Sequence, residues 1–432
     1  MLVSRRLSLV FLAALLTGCA GSRPSERYDR YQLAKSLEQG PKAPQAGADA
    51  SLVLGEFALK KVVDGDTLWV DGLDKSLRLL AIDTEETFKK ETERRAFEEG
   101  WETYLAKSQI KRRGKPVKIP TPLGEDAKDY AKEFFDGVRT VRLERDHPKE
   151  IRGRFDRHLV YVFAQKDGQW LNYNVECVRA GMSPYFTKYS YSRRFHEQFV
   201  EAQNEAKAAG RGIWDPNKQH YHDYDTRIAW WNRRADYIAA FEKEAAEDDS
   251  MIVLTHWDAL DRLGGRLQRE VTLLATVGEI KFGNGRAPTR ALLSRRMFQD
   301  FPLIFFDRDV LEASNIQDSR GDFIRVRGVV TTYHNKRTDE DVLQIVLQKP
   351  GQILRDPNQG PPRILPGHPD WPFAIPEGYE PDAPEPELEP APEAEQPATE
   401  ATPAEPPQPA ALPEPGSPAI PEPSPPAVEP AT

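Results

Sequence analysis

The chain has 432 residues, 39% of them hydrophobic and 29% charged, with a formal net charge of −9. That length and apolar share supply a sizeable buried core, while two cysteines rule out a disulfide framework. Residues 371–432 hold thirteen acidic side chains and no Lys or Arg, more than the whole net charge, so residues 1–370 are net +4 and the acidity excludes no polyanionic partner.

At the N-terminus Arg5 and Arg6 precede the apolar run Leu7 to Leu16. The run is too short to span a membrane comfortably. Leu16-Thr17-Gly18-Cys19 resembles the lipobox of bacterial lipoproteins, so residues 1–19 read as a signal peptide whose removal leaves Cys19 as a lipidated first residue. Lipid on Cys19 implies attachment to a membrane of the bacterial cell envelope on its extracytoplasmic side. Ala20 in place of Asp after the cysteine fits the outer membrane where a cell has one. Residues 20–50 are polar and aperiodic and read as a flexible tether. With Cys19 acylated, Cys177 has no disulfide partner and reads as a small core residue of a helix.

The segment Val62-Val63-Asp64-Gly65-Asp66-Thr67-Leu68 is followed by Leu77-Arg78-Leu79-Leu80-Ala81-Ile82-Asp83-Thr84-Glu85-Glu86. Two strand-like apolar stretches thus carry four carboxylates and a guanidinium, which is costly unless the charges meet a cation and an anion. Asp64-Gly65-Asp66 turns tightly enough to bring acidic oxygens together, and Asp83 ends the second stretch. Hard oxygen ligands without Cys or His suit Ca²⁺ better than zinc. Arg78 can fork two hydrogen bonds onto a phosphate, and Glu86 stands three residues past Asp83, where it can act on water.

Downstream, Gly124-Glu125-Asp126-Ala127 with Tyr130, Phe134 and Phe135 reads as a helix and Val138 to Leu143 as a strand. Arg154-Phe155-Asp156-Arg157-His158-Leu159-Val160-Tyr161-Val162 leads to further helices at Asn174 to Gly181 and from Arg193 to Gly212-Ile213-Trp214. Together these segments resemble the thermonuclease, or staphylococcal nuclease-like, family over residues 51–215. The resemblance implies an α+β, mainly β fold: an OB-type five-stranded barrel with three helices. It implies Ca²⁺ held by Asp66, Asp83 and the main-chain carbonyl of Thr84, with Asp64 supporting. Glu86, Arg78 and Arg157 become the catalytic residues, and Arg154, Tyr185 and Tyr189 substrate contacts. Glu85 stands where the family has proline, which predicts a less rigid loop. Phe155-Asp156 replaces the family's Tyr-Gly and adds a negative charge near the phosphate. The stretch from Phe88 to Leu123 reads as an enlarged loop carrying the basic run Lys111 to Lys118.

Residues 216–254 read as a helical connector, with Ile228, Trp231, Ala235 and Ile238 on one helix face and the opposite face mainly charged. His220-Tyr221-His222-Asp223 before it reads as an exposed loop. Five alternating or β-branched stretches between 255 and 355 predict a second small barrel, Leu273 to Ile280, Thr289 to Leu293, Pro302 to Phe306, Phe323 to Val330 and Val342 to Leu347. Its pattern resembles OB-fold nucleic-acid-binding domains, with Arg290, Arg325, Arg327, Tyr333, Lys336 and Arg337 as candidate contacts. From 356 to 432 the chain reads as a disordered Pro-, Glu- and Ala-rich tail.

The expectation is a membrane-anchored, Ca²⁺-dependent endonuclease that hydrolyses phosphodiester bonds of DNA and RNA with low sequence specificity. The alternative is a catalytically inactive nucleic-acid-binding or adhesion lipoprotein.

Overall fold

The computed structural model describes residues 52–375, except 296–298 and 337–338, together with 379. The segments read as signal peptide, with Cys19, and as tether lie outside the described residues, as does Arg337. The stretch read as a disordered tail from 356 is ordered at its start, because Gln359 and Ile364 are buried and Trp230 donates its indole N–H to the Gln359 carbonyl at 2.6 Å; its remainder from 376, apart from 379, lies outside the described residues. No helix among the described residues is long and apolar enough to cross a membrane.

The first barrel is built from β1 (Val53–Val62), β2 (Thr67–Val70), β3 (Leu77–Leu79), β4 (Thr140–Glu144) and β5 (His158–Lys166), with β6 (Gln169–Asn172) paired to β5. The strands run β3-β2-β1-β4-β5, and parallel pairing of Leu77, Arg78 and Leu79 with His158, Leu159 and Val160 closes the ring. Alternation turns Leu68, Leu77, Leu79, Val141, Leu143, Val160 and Val162 into a core at 0–1% exposure. Removing that much branched aliphatic surface from water is the main term holding the ring closed, at about 2 kcal/mol per side chain.

Between Phe88 and Leu123 the chain is not the loop read from its charges. It forms α1 (Glu91–Glu98) and α2 (Trp101–Lys111). Phe88, Phe97, Trp101 and Tyr104 lie 5.4–6.3 Å apart between neighbouring ring centroids and hold the helix pair together. Tyr104, Leu105, Ala106 and Gln109 are the side of α2 that is buried. The helix α3 (Pro122–Phe134) starts on a Thr121 cap, whose hydroxyl accepts from the Gly124 amide at 3.0 Å, with Pro122 in the first turn. Gly124 lies so close to the carbonyl of Glu86 that a Cβ there would overlap it, and Thr121 donates its amide to the same carbonyl at 3.0 Å. The start of α3 is thereby fixed against the acidic loop.

Next come α4 (Tyr173–Arg179) and α5 (His196–Ala208), which bury Val175, Cys177, Val178, Phe199 and Ala202 in the first core. The connector is α6 (Tyr224–Ala245), 22 residues long, and it lies between two cores. Ala235 and Ala239 join the first, while Ile238 and Phe241 pack on Met251, Val253, Leu274 and Phe323 of the second unit. The opposite face, with Arg233 and Glu244, is exposed as read, but the packed side also buries a charge. Arg234 is 1% exposed and donates to Asp322 Oδ1 at 2.9 Å, to the Gly321 carbonyl at 2.9 Å and to the Gln359 carbonyl at 3.3 Å. The loop before α6, read as exposed, is also packed away. Tyr221 and Asp223 are buried, and Asp223 holds the buried Arg227 at 2.6 Å.

The second unit contains β7 (Met251–Val253), α7 (Ala259–Gly264), β8 (Glu270–Lys281), β9 (Thr289–Ser294), β10 (Phe301–Phe305), α8 (Arg308–Ser314), β11 (Phe323–Asn335), β12 (Glu340–Leu347) and β13 (Ile353–Arg355). Strands β8-β9-β10-β12-β11 form a ring closed by β11 against β8, with β10 and β12 parallel through Leu303 and Ile345. Numbered within each barrel, both rings read first-second-third-fifth-fourth. In both, helix bridges the third and fourth strands, α1 to α3 in the first barrel and α8 in the second.

Candidate active site

The site forms where β1 turns into β2 and where β3 ends, and the tight Asp64-Gly65-Asp66 turn begins it. Asp66 donates its amide to Asp64 Oδ1 at 3.2 Å, and Tyr173 donates its hydroxyl to the Gly65 carbonyl at 2.8 Å. Thr67 donates its hydroxyl to Asp66 Oδ1 at 2.9 Å. Burial, with the charge of Asp66 adding, pushes the Asp64 carboxyl up to about 7.

Arg78 lies on β3 between Leu77 and Leu79, so the barrel core that swallows its neighbours aims its guanidinium at the turn. One Nη donates to Asp66 Oδ2; the other donates to Asp83 Oδ1 at 2.7 Å and to the Ile82 carbonyl at 3.2 Å. Burial alone would lower the Arg78 pKa, but Asp66 and Asp83 outweigh it and hold the group firmly protonated. Burial would likewise raise Asp83, yet the charges of Lys118 and Arg78 bring it down to about 2. Its backbone is fixed too, since the Asp83 amide donates to Ser183 Oγ at 2.9 Å.

Glu86 has a side chain 41% exposed and opens on this cluster. Burial raises its carboxyl above the ordinary range, Lys118 works against that, and Asp66 and Asp83 add to it. Glu85 does the opposite of loosening the loop. It is 2% exposed, and it accepts from Thr121 Oγ1, from the Tyr221 amide at 2.7 Å and from the Tyr224 hydroxyl at 2.7 Å. A carboxylate takes the bracing role expected of a proline. Only the distant tyrosines, invisible in local sequence, could have revealed it.

Arg157 stands at the start of β5, half-buried, with no hydrogen bond or ion pair of its guanidinium among the described residues. Burial and the charge of Arg78 lower its pKa, while Asp66, Asp64 and Asp83 draw it toward the cluster. The preceding Asp156 has φ +61°, the left-handed backbone that asparagine, aspartate and glycine tolerate best. Its extra charge is taken up by Arg152, whose Nη1 donates to the Asp156 carbonyl at 3.0 Å and to its carboxylate at 3.3 Å.

Several residues read from sequence as substrate contacts are used elsewhere. Tyr185 is 4% exposed, its hydroxyl paired with His196 Nδ1 at 2.9 Å and its ring stacked 4.9 Å from Phe199. It is a core residue. Arg154 donates to Ser294 Oγ and faces Asp300 at 3.9 Å, so it ties the Arg157 loop to the second barrel. Arg325 is spread over Tyr237 and Phe241 of α6 and forks onto Glu244, both bonds at 3.0 Å. Arg327 pairs with Glu270 on the adjoining strand at 2.6 Å. The common reason is that an arginine in a strand next to a packed helix or an acidic neighbour finds its carboxylate within the chain. Tyr189, 60% exposed, and Tyr333, 57% exposed, remain open to solvent.

The donors suit a hard cation, because Asp66 and Asp83 converge within the span of one guanidinium and burial beside Asp66 keeps Asp64 from ionising easily unless a positive charge is near. Among the described residues no group of three or more His, Cys, Asp or Glu side chains stands in a metal-holding arrangement. The Asp66 and Asp83 carboxylates are hard oxygen donors of the kind Ca²⁺ takes.

Residues 76–216 match the family described as staphylococcal nuclease homologue. The chain is 29% identical to a thermonuclease of Staphylococcus hyicus over 161 residues, covering 37% of this chain and 75% of that protein. It is 29% identical to a thermonuclease of Staphylococcus intermedius over 169 residues, 38% of this chain and 79% of that one. It is also 27% identical to the SPbeta prophage-derived endonuclease YokF of Bacillus subtilis over 167 residues, 38% of this chain and 45% of the relative. With its closed five-stranded barrel, the helices α3, α4 and α5 and these matches, the chain carries a thermonuclease-like domain.

Proposed function

We propose that the protein is a Ca²⁺-dependent nuclease that hydrolyses phosphodiester bonds of DNA and RNA with little sequence preference, working outside the cytoplasm from a lipid anchor on Cys19. The observation that carries the reading is one guanidinium, Arg78, joining Asp66 to Asp83 while a second, Arg157, faces the same carboxylates with no partner of its own among the described residues. Two cations over a carboxylate cluster suit a phosphate whose charge grows on its equatorial oxygens. Arg157 waits for such an anion, and Arg78 is pre-aimed, so neither has to be reorganised when the charge develops.

Glu86, raised by burial, is suited to take a proton from water as its oxygen attacks phosphorus in line with the departing 5′ oxygen, leaving a 3′-phosphate. Asp66, Asp83 and the Thr84 carbonyl would hold Ca²⁺, which would supply Lewis-acid polarisation of a phosphate oxygen. Tyr189 offers an exposed ring beside the pocket for a base or sugar. The names of the relatives support the nuclease class, and the lipobox supports the anchor.

Incubating the purified chain with single- and double-stranded DNA and with RNA tests the reading. Cleavage with Ca²⁺ that stops in chelator, and that Mg²⁺ restores poorly, is expected. Binding without cleavage under all these conditions would leave the protein a nucleic-acid-binding lipoprotein.

A further inference from the structure

The two-helix insert delivers one side chain into the site. Lys118 follows α2, and its ammonium donates to Asp83 Oδ1 at 3.1 Å with the side chain 49% exposed. The flanking backbone is fixed. Val117 is 1% exposed, and the Ile119 amide and carbonyl both bond the Tyr221 hydroxyl, at 3.0 and 2.7 Å. Pro120 forms a parallel bridge with Glu86, and Thr121 binds both Glu85 and the Glu86 carbonyl. A solvated loop lysine needs none of this support.

Two cations share one oxygen at this point, because Arg78 and Lys118 both donate to Asp83 Oδ1. Arg78 is a rigid planar fork already satisfied by Asp66, Asp83 and the Ile82 carbonyl. Lys118 is a flexible stem with three rotatable donors and one carboxylate partner among the described residues, so it is the one that can leave. Its departure also relieves Asp83 of a competitor for a cation.

Resting on the nuclease reading, we propose that Lys118 is a third phosphate-contacting cation of the site, supplied by the insert. It exchanges Asp83 for a non-bridging phosphate oxygen of the nucleic-acid strand when substrate binds. The exchange moves no proton and breaks no covalent bond.

The test uses the full chain and a fluorescently labelled single-stranded oligonucleotide. Affinity is measured in chelator across a salt series, and steady-state turnover is measured with Ca²⁺. Lys118→Met is expected to raise KM about tenfold with a smaller change in kcat, and to lower the slope of log affinity against log salt by about 0.7, one phosphate contact on a single strand. Lys118→Arg should restore the slope. The thermal melt should stay near wild type, since Asp83 retains Arg78. Wild-type KM and slope in Lys118→Met, alongside normal cleavage by the parent protein, would overturn the inference and leave the nuclease reading standing. A lowered melting temperature with an unchanged slope assigns Lys118 to the fold and overturns it equally. A parent chain that neither binds nor cleaves removes both.

Discussion

The two barrels share a strand order and a helical bridge, yet they treat their charges in opposite ways. In the first, Arg78 gathers two carboxylates and Arg157 stands beside them with no partner among the described residues. In the second, Arg325 and Arg327 are neutralised by Glu244 and Glu270. A ring of five strands does not decide what a domain does; the charges left unspent on its rim do. The difference also explains why the first barrel pays in stability for its rim. Asp64 and Glu86 both have carboxyls raised by burial and by neighbouring negative charge, a strain that a bound cation can relieve.

Breaking the joint between the barrels should give the largest effect. Arg234→Ala removes a guanidinium that meets Asp322, Gly321 and Gln359 across α6 and leaves Asp322 without its cation. Removing one partner of a buried pair costs about 3–5 kcal/mol. Chemical denaturation should show that loss, and a variant within 1 kcal/mol of the parent would mean that the apolar contacts of Ile238 and Phe241 hold the joint alone.

Within the first barrel, Glu86→Gln, Arg78→Ala and Arg157→Ala should each lower turnover by at least about a hundredfold. Their stabilities should separate. Arg157→Ala deletes a group with no side-chain partner among the described residues and should melt with the parent protein. Arg78→Ala strands Asp66 and Asp83 and should melt lower. Near-parental rates in all three variants would remove the catalytic assignment.

Acid should act at the seam between the barrels. His147 and His256 stack 4.7 Å apart there, and burial lowers His147 to about 3 and His256 to about 4. The groups facing them are Glu150 and Arg193 from the first domain, Lys149 on the same loop and Asp258 from the second. A histidine whose folded pKa is depressed contributes its stability in full above the unfolded value near 6.5, and that contribution is lost as pH falls toward 4. For His256 the loss between pH 7 and 4.5 is about 2 kcal/mol. Denaturation curves over that range should be flatter for His256→Phe; equal slopes would show that other groups govern acid unfolding.

The second barrel was legible because its core alternates. The five stretches read from sequence fall on β8, β9, β10, β11 and β12, displaced by a residue or a few at their ends, with β11 running on to Asn335. The charged cluster of the first barrel was legible because Asp64, Asp66, Arg78, Asp83 and Glu86 sit on two short, closely spaced segments. What could not be read was anything completed from far along the chain. Glu85 is braced by Tyr221 and Tyr224, more than 130 residues away, and Tyr185 is claimed by His196 and Phe199. The insert was misread because its helices are held by aromatic contacts while its sequence is crowded with charge.

The smallest effect sharpens the contrast most. Cutting the chain near Ser250 would not isolate the role of the second barrel, because it would strip Ile238 and Phe241 of their cover. Point changes do better. Arg327→Ala should alter affinity for a single-stranded oligonucleotide in chelator by less than about twofold, with no change in salt slope, because an exposed ion pair worth about 0–1 kcal/mol already holds its charge. Arg325→Ala should do the same to binding while trimming stability through its contacts with Tyr237 and Phe241. Tyr333 is the better candidate for a strand on this barrel, being exposed on β11, and a stacked base is worth about 1–3 kcal/mol. Fluorescence anisotropy separates the cases. A loss confined to Tyr333→Ala places a nucleic-acid strand on this barrel through stacking alone. A tenfold loss with a shallower slope in Arg327→Ala would show that its bond to Glu270 yields to phosphate, and that the second barrel's charges are no more spent than those of the first.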